Sequence, residues 1–353
     1  MSDRSVPAAA GRSGVPWRDR VESLLARDFG KSSEAGRIGE IFGAALTSGT
    51  TEKYSQHFLR FARFCEERGL CPLPASTNTV LKWLAGDVCS GDRVQAKSLQ
   101  PYLSAINTLH ADCEFAEPAV GRRIRRFKQG LGHLLARGRE ADRTYAPADV
   151  VSRAHEAGMA LSDKQLRTDA GRGLLQAIVA TVFTFTFFAR GGSGAALRAK
   201  DVRPSEAGLH VTLGKEKTRY SAAVSRVVTL DWERIPGLRE LLLRWEAVRG
   251  EVKASASYYA LPGQSSFPST QVDTWFKLVL DHLGATPPQG ETWSGHSLRK
   301  GAASAANAIG VSLAKICHVG GWSVKASTVH DYIDPTCPSS DAGRRYFGWM
   351  LPK

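Results

Sequence analysis

No two cysteines in this chain form a C-x-x-C pair: Cys65, Cys71, Cys89, Cys113, Cys317 and Cys337 are scattered, without finger spacing. That argues against a zinc ribbon or a thioredoxin-type redox pair, and it predicts reduced, mostly buried thiols in a cytosolic or nuclear compartment. No uninterrupted apolar run approaches the ~18 residues of a membrane-spanning helix. The opening stretch MSDRSVPAAAGRSGVPWRDR has no apolar core of the kind a secretory signal needs, so export is not expected. Its Arg, Ala and Ser content weakly resembles a transit peptide, but an unstructured tail suits it better. Repeats and low-complexity tracts are also missing. Acidic residues are scarce, 34 Asp and Glu against 47 Lys and Arg, leaving a net charge of +13. The surplus favours an anionic partner such as nucleic acid, although a membrane surface would also fit. What is present is an ordinary globular composition, 42% hydrophobic and 23% charged over 353 residues, enough for two domains with real cores.

The hydrophobic pattern divides the chain. A flexible tail over 1–46 is followed by four stretches of helical period, TTEKYSQHFLRFARFCEERG, STNTVLKWLAGDV, SLQPYLSAINTLHADC and EPAVGRRIRRFKQGLGHLLARG, which predict a helical domain over 47–137. The polar, charged, proline-closed segment 138–147 reads as a linker. Residues 148–353 form the second domain, opening with helices near 147–158 and 163–189. In GLHVTLGKEKTRYSAAVSRVVTL, Val211 and Leu213 then alternate with polar residues, as do Val228 and Leu230, predicting a small antiparallel sheet. Helices return at IPGLRELLLRWEAVRG, STQVDTWFKLVLDHLG and the C-terminal segment. The fold class is therefore mainly α, with one small antiparallel β-sheet in the second domain.

Charge is concentrated. Residues 117–139 carry seven basic side chains and one acidic one. Arg122, Arg125 and Arg126, with Gln129, recur on one helical face, and Arg123 and Lys128 lie beside them. Five cations in seven residues with no interleaved acid fit a phosphate-tracking surface, and a plain solvated face is the alternative. A second concentration lies at TWSGHSLRKGAASAANAIGVSLAKICHVGGWSVKASTVHDYID, residues 292–334. Ser294 can cap a helix that carries His296 and Arg299 at i and i+3 beside its positive end, so one anionic group could meet both. GLHVTLGKEK is no phosphate-binding loop, because five residues rather than four separate its glycines and Glu216 follows Lys215.

These residues carry a resemblance. WSGHS, the following R-x-G-A-A, GGW, and Y-I some ten residues later are similar to the C-terminal catalytic box of the tyrosine recombinase (phage integrase) family. FARGGSGAALRAKDV resembles that family's first box, with its arginine at Arg190, its Leu at Leu197 and its Asp at Asp201; Ser193 stands where an acidic residue is usual. The Lys-Thr pair in GKEKTRYSAAVSRVVTL resembles the hairpin bearing the family's lysine, which assigns Lys217, with Lys215 as its rival. Residues 47–137 resemble the family's helical, SAM-like core-binding domain. STQVDTWF resembles a helix that enters the major groove, with Gln271 in the base-reading place, where glutamine can pair bidentately with adenine.

The resemblance implies a two-domain C-shaped clamp that closes on double-stranded DNA and assembles as a homotetramer on two recombination sites. The implied nucleophile is Tyr332, with Tyr346 as its rival. Its phenolate would attack a phosphodiester to give a 3′-phosphotyrosyl link and a free 5′-hydroxyl. Arg190 and Arg299 would clamp the non-bridging oxygens, and His296 and the Trp322 indole N–H would donate to them. His296 would also assist proton removal, and Lys217 would protonate the leaving oxygen. Bond energy is kept in the linkage, so no metal, ATP or other cofactor is expected, nor any membrane partner. Two other readings stay open: a recombinase-derived DNA-binding protein with weakened or lost cleavage, and a type IB topoisomerase. The expected location is cytoplasm and nucleoid in a prokaryote or nucleus in a eukaryote. The apolar C-terminal helix, 341–351, is expected to dock on a neighbouring protomer.

Overall fold

The computed structural model describes residues 48–90, 94, 96–135, 142–214, 226–235, 237–323 and 327–351. The expected tail over 1–46 lies outside them, as do Lys215 and Lys217. Contacts within the chain divide it into two units, Met1–Arg139 and Glu140–Lys353.

The described part of the first unit is helical: α1 (Ser48–Glu66), α2 (Thr77–Trp83), α3 (Gln100–Asp112) and α4 (Arg122–Leu135). Ser76 caps α2 by accepting the Thr79 N–H at 3.1 Å. The helical period of α1 puts Phe58, Phe61 and Cys65 into the core with Trp83, Leu103, Ile106 and Leu109. Asp87, just past α2, receives Arg60 Nε and the Trp83 indole N–H, each at 2.8 Å. Burial alone would raise its pKa, but these donors hold the carboxyl below the usual carboxylate range. Of α4 only Ile124 is buried.

The second unit continues with β1 (Asp142–Arg143), α5 (Ala148–Ala160), α6 (Asp163–Leu166), α7 (Asp169–Thr186), α8 (Gly191–Ala195), β2 (Val202–Pro204), β3 (Gly208–Leu213), β4 (Arg226–Asp231), α9 (Leu238–Arg249), α10 (Gln271–Leu283), β5 (Glu291–Thr292), α11 (Gly295–Ala308), α12 (Leu313–Gly320) and α13 (Asp341–Phe347). Its centre is α7, buried on every side from Leu175 to Thr186, as expected of a helix apolar all round. The helix expected over 163–189 is broken: Ser162 and Gln165 form a reciprocal cap on α6, and Thr168 restarts the chain by capping Gly171 at 3.0 Å. The sheet runs β2-β3-β4, antiparallel, with Val211 opposite Val228 and Leu209 opposite Leu230 on its buried face.

Three further expectations need correction. The second half of the predicted linker is knitted into this unit: β1 pairs in parallel with β5, and the Ala146 N–H donates to the Ser297 carbonyl at 2.9 Å. Gly301 makes this possible, since a Cβ there would lie 1.9 Å from the Ala146 carbonyl oxygen. The C-terminal helix, expected to dock on a neighbouring protomer, packs on its own unit within the single chain. Tyr346 and Phe347 are fully buried and Met350 nearly so, in the same core as Phe185 and Phe188. Arg345 reaches Ser152 and Glu156 on α5, and Lys315 Nζ donates to the Met350 carbonyl at 2.6 Å. The apolar face that suggested a docking helix is satisfied within the chain. Finally, no disulfide joins the six cysteines, but only Cys65, Cys113 and Cys317 are buried, so the expectation of mostly buried thiols is half met.

Candidate active site

The last turn of α7 sets up the site. Phe188 adopts φ +51°, a left-handed conformation rare for a bulky residue, and is held there by fully buried packing of its ring against Phe347 (4.9 Å) and Trp322 (6.3 Å). The turn frees the Phe188 carbonyl, which accepts a hydrogen bond from Arg299 Nη1. Two residues on, half-buried Arg190 is the N-cap of α8. The glycines of that short helix permit close packing: a Cβ on Gly194 would lie 2.9 Å from Thr184 Oγ1, and one on Gly192 3.3 Å from the Ser269 Cβ. Leu197 is buried, and Asp201 accepts the Arg198 N–H at 3.2 Å, closing the turn into β2.

Helix α11 begins at Ser294, whose N–H donates to Ser297 Oγ at 3.1 Å. Its first N–H, on Gly295, donates to the Asp273 carboxylate of α10 at 2.6 Å, tying the two helix starts together. Sequence reading missed Asp273, which no motif marks. His296 and Arg299 share a side of α11 but differ in depth. His296 is exposed, whereas Arg299 is wholly buried, with Nη2 donating to the Gly320 carbonyl at 2.7 Å. The guanidinium carbon lies 3.8 Å from the Trp322 ring centroid and 5.4 Å from that of Tyr332.

The two glycines before Trp322 do different work. A Cβ on Gly320 would lie 1.8 Å from the indole ring, and Gly321 takes the left-handed φ of +69° that ends α12. The indole therefore lies flat over the end of α12 and above Arg299. Trp322 Nε1 is buried and has no hydrogen-bond partner among the described residues. Tyr332, half-buried, ends the 3₁₀ helix Ser327–Tyr332, its ring centroid 5.0 Å from that of His296 and 5.0 Å from that of Trp322. An imidazole, an indole with an idle N–H, a guanidinium and a phenol thus meet within one cluster. The rival Tyr346 is elsewhere, fully buried, its hydroxyl bonded to His155 Nδ1 at 3.1 Å.

This arrangement can be compared with known proteins. No family model matches the chain. It is similar to the recombinase Cre of Escherichia phage P1, 26% identical over 299 residues, covering 77% of this chain and 80% of that protein. A solved XerH site-specific recombinase, in a pre-cleavage complex with its difH substrate, superposes with a TM-score of 0.56 over 90% of this chain and 92% of its own, at 11% identity. The fold is that of the tyrosine recombinases. Lambda integrase, solved as a tetramer on a Holliday junction, shares the recombinase fold with a TM-score of 0.52 and 17% identity, over 92% of this chain and 78% of its own.

The remaining expected positions lie outside the cluster. Gln271 is the first residue of α10, half-buried, two residues before Asp273. On α4, Arg122, Arg123, Arg125 and Arg126 are all exposed, and none forms an ion pair among the described residues. Lys128 is half-buried, its Nζ donating to Gln100 Oε1 at 3.1 Å. No helix among the described residues is long and apolar enough to cross a membrane.

Proposed function

We propose that this chain is a site-specific DNA recombinase that cleaves and rejoins strands through a phosphotyrosine bond to Tyr332. The observation that carries the reading is the placement of the Tyr332 ring against His296, Trp322 and Arg299. The Tyr332 oxygen attacks the phosphorus of a DNA phosphodiester as the P–O5′ bond breaks, leaving a 3′-phosphotyrosyl enzyme and a free 5′-hydroxyl. Arg190 and Arg299 neutralise the non-bridging oxygens, and Trp322 Nε1, buried without a partner, donates to one of them. Each such donor contributes on the order of 3 kcal/mol to the transition state. His296, exposed beside the phenol, takes the tyrosine proton, and Lys217 protonates the departing 5′-oxygen. The 5′-hydroxyl of a second strand then reverses the reaction on a new phosphotyrosine. Arg122, Arg123, Arg125, Arg126 and Lys128 follow the phosphates, and Gln271 reads a base edge. Four copies assemble on two sites, a stoichiometry supported by lambda integrase, which was solved as a tetramer on a Holliday junction.

A pooled library of duplexes carrying single nicks tests the reading, because the short 5′-hydroxyl fragment diffuses away and traps the covalent complex. The wild-type chain should yield an adduct that survives denaturation and is removed by protease. Tyr332→Phe should retain DNA binding and yield none, and an adduct that persisted in this variant would move the nucleophile elsewhere.

A further inference from the structure

The run AASAA, residues 302–306 of α11, is buried throughout, and one hydroxyl interrupts its alanines. Alanine at that place would raise helix propensity and bury no polar group, so helix packing gives no reason for serine. The hydroxyl of Ser304, fully buried, instead reaches across to the segment bearing Tyr332. Its oxygen accepts the Asp334 N–H at 2.9 Å. Its single proton is shared between the Lys300 carbonyl one turn back, at 2.8 Å, and the Tyr332 carbonyl, at 3.3 Å. The main chain is therefore gripped at the tyrosine itself and again two residues later. Beyond the grip, the Asp334 carboxylate accepts the Thr336 N–H at 2.9 Å and the Thr336 hydroxyl at 2.6 Å, which turns the chain away.

We infer that Ser304 is the positioning residue of the nucleophile, fixing the main chain of Tyr332 to the helix that carries His296 and Arg299. The inference rests on the function proposed above. Its logic is geometric: phosphate ligands and nucleophile must be held in register, and the shortest way is to attach both to one rigid element. Two of the phosphate-site residues lie on the first turns of α11 and the clamp lies one to two turns further on, so movement of the helix carries all of them together. Ser304 touches neither substrate nor the reacting oxygen.

The test compares wild type, Ser304→Ala and Ser304→Thr on nicked duplexes recovered from the library. In single-turnover reactions Ser304→Ala should form adduct roughly 10–100-fold more slowly, with DNA affinity and melting temperature unchanged. Ser304→Thr, which keeps the hydroxyl, should recover most of the rate. Without DNA, the Asp334 amide should exchange its hydrogen about tenfold faster in Ser304→Ala, because its acceptor is gone. An alanine variant that cleaves at the wild-type rate overturns the inference. So does one whose rate, affinity and melting temperature fall together, since that marks ordinary core packing. If the wild-type chain itself forms no adduct, the proposed function fails, and the positioning role fails with it.

Discussion

Tyr332 and Tyr346 are the same chemical group put to opposite uses by their surroundings. Burial pushes the Tyr346 phenol pKa up, and its hydroxyl is engaged by His155, so it serves the core. Tyr332 is half-buried among polar and cationic neighbours. Gly320 shows how tightly that neighbourhood is drawn, since the Trp322 ring occupies the space a methyl group would need. Gly320→Ala must therefore push the indole off Arg299 and disturb the Gly320 carbonyl that Arg299 holds. It should destabilise the chain by about 1–3 kcal/mol through overpacking. Adduct formation should fall more steeply, roughly 100-fold, because the idle indole N–H would no longer be aimed. Melting curves and adduct formation by the same variant check both; a variant with wild-type cleavage would show that the indole has room to spare.

At the scale of elements, α4 and α13 contrast in what they do with an amphipathic surface. The apolar side of α4 buries Ile124 and leaves its arginines in solvent, as a phosphate-following helix requires. Replacing Arg122, Arg125 and Arg126 with alanine should weaken binding to specific and random DNA alike. The slope of log affinity against log salt should fall by about 0.9 for each phosphate no longer neutralised. Titrations at several salt concentrations measure this directly, and an unchanged slope would make the face ordinary surface. In α13 the apolar side is the one that matters, because Tyr346 and Phe347 fill the core beside Phe185 and Phe188. Removing residues 341–353 should therefore abolish folding of the second unit or lower its melting point sharply. Tyr346→Ala alone should cost about 3–5 kcal/mol. A truncated chain that stayed fully folded and failed only in cooperative binding would restore the docking-helix expectation.

For the molecule as a whole, each unit carries a buried imidazole whose protonation is opposed by burial. In the first, His110 Nδ1–H donates to the Ile106 carbonyl at 2.8 Å and Nε2 accepts the Ala75 N–H at 2.8 Å. In the second, His155 lies between Tyr346 and the Gly237 carbonyl. Burial lowers both pKa values from the ordinary 6.5. Below 6.5 the unfolded chain thus binds protons that the folded chain does not, so stability rises with pH across that window. The contribution is complete above the unfolded value and is lost as pH falls through the lower folded values. Melting temperatures should fall as pH drops from 7.5 to 5, and His110→Gln with His155→Gln should flatten the dependence. An equal slope in the double variant would assign the acid sensitivity to groups other than these two imidazoles.

Local chemistry sufficed to reveal the helical first unit, the alternating strands β3 and β4, and the spacing of His296, Arg299, Trp322 and Tyr332, because period, caps and motifs are written in near neighbours. It did not suffice where distant segments meet. That Arg299 is buried against the Phe188 and Gly320 carbonyls, that Asp273 caps α11, that Ser304 grips the Tyr332 segment and that Ala146 bonds to α11 all depend on segments brought together across 20 to more than 150 residues. The destination of α13 is of the same kind. An apolar face in the sequence says only that the face will be covered; which surface covers it is decided by the shape left when the rest of the core has packed.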